Sequence, residues 1–138
     1  MTPSDLHSAL LAATKNRDSV AVHAALLLIQ TMEGDAGFHR AMEGLADQAT
    51  AHIPKPNDFC CCAITAVATT PDGQVLTQDE LPYELRWALD MVTARMNDDQ
   101  EQIRDLIDTA TKQRQLTAAV LALAYLAGRP EDVHSVVL

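Results

Sequence analysis

Three adjacent cysteines, Cys60, Cys61 and Cys62, are the residues of this sequence with the clearest potential for chemistry. Thiolates bind zinc and attack electrophiles, so the spacing of the thiols decides what they can do. Zinc sites favour spacings such as C-x2-C, whereas neighbouring side chains on a strand point to opposite faces, which leaves only Cys60 and Cys62 on a common face. Adjacent cysteines also cannot link distant parts of a chain by disulfides. The pattern favours structural, half-buried thiols, and a small-ligand or metal-binding site in this segment is the alternative.

The histidines, acidic residues and serines match no catalytic or metal-binding spacing. None of the five histidines belongs to an HExxH motif, and no serine lies in a nucleophile elbow. His39 and Glu43 lie four residues apart, which is typical of a stabilising pair on an exposed helix. The acidic residues between positions 98 and 108 lack the alternating ligands and glycine of a calcium loop, so helix capping and a solvated face explain them. We therefore predict no metal site, no cofactor and no catalytic residue.

The charge of the chain argues against several classes of partner. The net charge is −9, and the basic residues are scattered among acidic ones. Nucleic-acid binding requires a concentrated basic face, so we expect no nucleic-acid partner and no membrane partner. The N-terminus lacks the pattern of a signal peptide, and the longest apolar stretch, residues 24–29, is far shorter than the roughly twenty residues that cross a bilayer. We expect an acidic cytoplasmic protein, and the excess of arginine over lysine together with abundant alanine points to a bacterial or phage source.

The elements that must position these residues are predicted to be mostly helices. Short polar breaks, which begin with Asn or Gly and soon reach an acidic residue, recur at positions 16–18, 97–99 and 128–132. Such breaks end one helix and cap the next. We predict a mainly α fold, a single-domain bundle of helical hairpins over residues 1–138 with one small β-hairpin. Its parts are N-terminal helices in residues 1–50, a linker and the β-hairpin in residues 51–80, and C-terminal helices in residues 81–138.

Apolar residues at helical spacing place the individual helices. A first helix is expected to run to about Thr14, and a second, expected to be the most buried, to end at Gly34. A third follows to about Ala49. In the C-terminal part, helices are predicted from Pro82 to Met96, from about 98 to 110 and from 117 to Gly128, followed by a last turn or short helix from Pro130.

The segment between the two helical parts is ambiguous. Prolines at positions 54 and 56 prevent a helix there, and residues 59–70 fit both a helical face and the β-branched composition of a strand. The sequence Thr70-Pro71-Asp72-Gly73 is a turn signal, and residues 74–77 form a plausible return strand. We predict a β-hairpin at about residues 59–77, while a helix over 59–70 remains the alternative.

These features indicate a non-catalytic protein-interaction or self-assembly module. A lone hairpin is marginally stable in water, and the run from Phe59 is apolar on both faces, so a second copy is expected to cover what one layer of helices cannot. We therefore expect a homodimer. The residues predicted to line its interface are Phe59, Cys62, Ile64, Val67, Trp87, Val136 and Val137.

Overall fold

The computed structural model describes residues 3–53, 64–70 and 72–137 of the 138-residue chain. The helices are α1 (Pro3–Lys15), α2 (Ser19–Ala49), α3 (Tyr83–Met96), α4 (Gln100–Lys112) and α5 (Leu116–Ala127), and the strands are β1 (Ile64–Ala68) and β2 (Val133–Val137). Short 3₁₀ helices lie at Gln78–Glu80 and Pro130–Asp132. The predicted mainly α fold with one small antiparallel β element is confirmed.

Three helices end in the same way, and the sequence did not indicate which residue makes the turn. Arg17, Asp98 and Arg114 have positive φ angles of 55°, 53° and 57°. In each case the next amide donates to the carbonyl five residues earlier, as in the bonds from Asp18 to Ala13 at 3.0 Å and from Asp99 to Ala94 at 2.9 Å. These are Schellman motifs, and after α1 and α3 the left-handed residue is the one that follows the expected asparagine. Gly128, the third expected terminator, has a helical φ of −81°.

Carboxylates cap both helices that follow these breaks, as the sequence indicates, but at α4 the capping residue is Asp99 and not the expected Asp98. The Asp18 carboxylate accepts from the Ala21 amide at 3.1 Å, and the Asp99 carboxylate accepts from the Gln102 amide at 3.1 Å. Each bond satisfies one of the amides that the first helical turn leaves unpaired. The acidic residues at the starts of α2 and α4 therefore have a structural role.

Helix α2 is broken at Gly34, where a helix end was predicted. Gly34 has φ 70° and ψ −157°, a backbone conformation that only glycine adopts without strain. Across the break, the Gln30 side-chain amide donates to the Asp35 carboxylate at 3.0 Å. The predicted second and third helices are thus the two halves of α2, residues 19–33 and 35–49.

The two strands come from distant parts of the chain. β1 pairs antiparallel with β2, in a register from Ile64 opposite Val137 to Ala68 opposite Val133. The predicted return segment makes a tight turn instead of a full strand: Thr70 N donates to Gln74 O at 2.9 Å, and Leu76 N donates to Ala68 O at 3.0 Å. The expected hairpin turn therefore forms, but the C-terminal valine-rich segment supplies the main partner of β1. The predicted short helix at Pro130 is present and leads directly into β2.

The core is centred on α5 and not, as expected, on the second predicted helix. α5 contacts all four other helices, and Ala119, Val120 and Leu123 are fully buried. Its C-terminal end lies so close to α1 that a side chain at Gly128 would collide with the backbone oxygen of Thr14. In contrast, the first half of α2 packs against the core along only one of its sides. Within the described ranges, none of the helices combines the length and apolarity needed to cross a bilayer.

Candidate interaction surface

The first half of α2 has two apolar sides, of which only one faces the core. Its inner side is buried and consists of Val22, Ala25, Leu26 and Ile29. At about 100° per residue, the opposite side carries a second apolar stripe. We call this stripe the outer face of α2, and it consists of Val20, Ala24, Leu27, Leu28, Thr31 and Met32.

The side chains of the outer face are well exposed. The exposed fraction is 78% for Val20, 59% for Leu27, 48% for Leu28 and 60% for Met32. Residues 19–32 also contain no Asp, Glu, Lys or Arg, although 21% of the chain is charged. A helix that is apolar all round is normally covered on both sides. The outer face is therefore an exposed apolar surface of the kind that commonly marks interaction sites.

Helix α5 extends this surface on one side. A groove of about 690 Å³ lies between the outer face and α5, where Leu121, Ala124 and Tyr125 form the opposite wall. Tyr125 is 50% exposed, and the Arg129 guanidinium lies 3.8 Å from its ring centroid. The groove is lined mostly by apolar side chains, so it continues the outer face laterally.

A second groove, of about 450 Å³, lies on the side of α2 that faces α4. Its apolar lining includes Leu26, Phe38, Met42, Ile107 and Val120. Leu27 and His23 line both grooves, so they form the ridge between them.

A buried carboxylate stabilises the break in α2. Glu33 has a side chain only 7% exposed, and its two oxygens contact His7 Nε2 at 3.0 Å and the Arg40 guanidinium at 2.8 Å. The hydrogen bond from Arg40 lowers the pKa of the Glu33 carboxyl below its usual value, His7 adds to this effect, and burial opposes it. Both oxygens are engaged in holding α1 to the two halves of α2, which makes this cluster structural.

Two further groups with a shifted pKa lie on α3. Arg95 donates from Nε to Asp47 at 3.0 Å and contacts Glu43 at 2.9 Å, and the hydrogen bond to Asp47 raises the pKa of its guanidinium. Glu43, which was expected to pair with His39, thus joins α2 to α3. Burial raises the pKa of Asp90, and the charge of Arg86 partly offsets this. The ion pairs of Arg95 connect α3 to α2. Neither Arg95 nor Asp90 lines either of the grooves described above.

The predicted interface residues are distributed over several environments. Trp87 is 2% exposed and donates from its indole N–H to Leu106 O at 2.9 Å, so it is part of the core and joins α3 to α4. Val67 is partly buried on β1, and Ile64, Val136 and Val137 lie at paired positions of the two strands. Phe59 and Cys62 lie outside the described residues. A contact made by the 59–77 segment therefore stays a prediction.

The outer face of α2 was not identified from the sequence, because this helix was expected to be the most buried one. The available signal was the run of residues without a formal charge from position 19 to 32, which is unusual for a helix near the surface. Among the described residues, no group of three or more His, Cys, Asp or Glu side chains could hold a metal ion, and the three cysteines lie outside this part of the chain. No known protein family, characterised protein or solved structure matches the chain.

Proposed function

We propose that this protein is a non-catalytic protein-interaction module that uses the outer face of α2 as its contact surface. The observation that carries the proposal is the second apolar side of α2, which is exposed and free of formal charge. Complete burial of a leucine or methionine side chain is worth about 1.5–3 kcal/mol. The large side chains of the outer face are roughly half exposed, so covering each of them contributes about 1 kcal/mol to association.

The chemistry of the remaining surface supports a binding role over a catalytic one. The described titratable clusters, Glu33 with His7 and Arg40 and Arg95 with its two carboxylates, are used to join helices. The groove beside α5 is lined mainly by apolar side chains, whereas the groove beside α4 combines apolar side chains with Asp35, Asp108 and two histidines, His23 and His39. An exposed apolar helix face beside an apolar groove is a shape that another protein surface can cover.

Site-specific photo-cross-linking in cells tests this proposal. A photoreactive phenylalanine derivative replaces Leu28 on the outer face or, as a control, the exposed Gln102 on α4. We expect a discrete covalent adduct after irradiation of the Leu28 variant and none with the Gln102 variant. The absence of an adduct at Leu28 contradicts the proposal, and a third variant at the exposed Val75 then asks whether the contact lies in the 59–77 segment.

A further inference from the structure

We infer that the partner of the outer face is a second copy of this chain, packed antiparallel across a two-fold axis that passes between residues 25 and 26 of α2. The inference rests on the proposed function and specifies its partner. It follows from the spacing of the exposed residues, from the distribution of charge and from the position of α5 beside the stripe.

Four of the six residues of the outer face are spaced in the same way in both chain directions. Val20, Ala24, Leu27 and Thr31 follow one another at intervals of four, three and four residues. When two such helices pack face to face in opposite directions, Ala24 of one copy lies beside Leu27 of the other, and Val20 lies beside Thr31. Each contact occurs twice, as two-fold symmetry requires. Ala24 is small and leaves room for Leu27 of the second copy, so large and small side chains interdigitate.

The charge distribution favours this contact between identical chains. Each copy carries a net charge of −9, so two copies repel each other when acidic surfaces approach. Residues 19–32 contain no formal charge. The outer face is therefore a region where two acidic copies can come together without desolvating a carboxylate or placing like charges in contact.

The flanks of the stripe also fit a two-fold arrangement. The groove with α5 lies on one side of the stripe, and Leu28 and Met32 lie towards the other. A two-fold axis perpendicular to α2 brings equivalent flanks together, so α5 of both copies lies on one side of the contact. Leu28 and Met32 of both copies lie on the other side, where their exposed side chains extend the apolar contact.

The oligomeric state of the purified full chain is the first test. Sedimentation equilibrium over a range of concentrations is expected to give a species of twice the 15.0 kDa chain mass. Leu27→Asp is expected to weaken association at least tenfold, whereas Gln102→Asp, which adds the same charge on the exposed side of α4, changes it less than twofold. Circular dichroism verifies that both variants retain their helical content. A monomer at all concentrations, or a dimer insensitive to Leu27→Asp, overturns the inference.

The direction of packing is the second test. The photoreactive derivative replaces Val20, the purified dimer is irradiated, and the covalent dimer is digested and analysed by mass spectrometry. In the antiparallel arrangement the two Val20 positions lie about 16 Å apart along the helices, and the adduct maps near Thr31 of the second copy. An adduct between the two Val20 regions indicates parallel helices and overturns the inference. An adduct at Leu28 in cells with a different protein, together with a monomeric purified chain, overturns it too but leaves the proposed function intact.

Discussion

At the scale of single residues, the backbone of Gly34 determines the direction of α2. Its φ of 70° and ψ of −157° are accessible to glycine but strained for residues with a side chain. We expect Gly34→Ala to lower the free energy of unfolding by about 1–3 kcal/mol. Gly44 is the matched control: it lies inside the helical second half of α2 with no atom near its missing Cβ. Gly44→Ala is expected to raise the free energy by about 0.5–1 kcal/mol, and urea unfolding measures both. Equal effects of the two changes would contradict this interpretation of the break.

The contribution of Glu33 to the stability of the fold depends on pH. Its folded-state pKa is lowered, chiefly by the hydrogen bond from Arg40, so the carboxylate stabilises the fold when it is ionised. This contribution is complete above the ordinary glutamate pKa of about 4.3 and is lost as pH falls through the lowered pKa. We expect Glu33→Gln to reduce stability at pH 7 and the difference from the unmodified protein to disappear in acid. Urea unfolding between pH 7 and pH 3 tests this, and a difference that persists unchanged at the acid end would assign the effect of the substitution to packing.

At the scale of elements, two adjacent residues of α2 have different roles: one is buried in the core, and the other is exposed on the outer face. Leu26 is 5% exposed on the inner side, whereas Leu27 is 59% exposed on the outer side. We expect Leu26→Ala to lower the free energy of unfolding by about 2–5 kcal/mol, because it leaves a cavity in the core. Leu27→Ala is expected to change it by less than about 0.5 kcal/mol at concentrations where the chain is monomeric. A large loss at Leu27 in dilute protein would mean that another part of the same chain covers the outer face.

The elements that were predicted correctly depend on local patterns. Helix periodicity and the carboxylate caps at Asp18 and Asp99 involve residues within one or two turns, and these are present. The main partner of β1 could not be predicted in this way, because β2 lies more than sixty residues away and its valines fit several structures. The exposed side of α2 escaped prediction for a related reason. The sequence shows that Leu26 and Leu27 are both apolar, but the packing of α2 against the other helices, chiefly α1 and α5, determines which of them is covered.

At the scale of the whole molecule, apolar and charged surfaces are separated. Residues 19–32 of α2 carry no formal charge, while most residues on the exposed side of α4 are charged or polar. In an aqueous environment, an apolar contact through α2 must overcome the repulsion between two chains of charge −9. The two contributions respond differently to salt, because screening acts on the repulsion at distances of several ångströms and leaves the apolar contact in place.

Self-association through α2 should therefore strengthen as salt increases. The screening length falls from about 30 Å at 0.01 M to about 3 Å at 1 M ionic strength, so two acidic copies repel each other much less at the higher value. We expect the dimer dissociation constant to fall several-fold between these conditions, as measured by sedimentation equilibrium. The double variant Glu101→Gln with Asp105→Asn removes two negative charges from exposed positions of α4 and leaves the outer face unchanged. It should bind more tightly than the unmodified chain at low salt and equally at high salt. Association that weakens with salt would instead indicate attraction between opposite charges and place the contact on another surface.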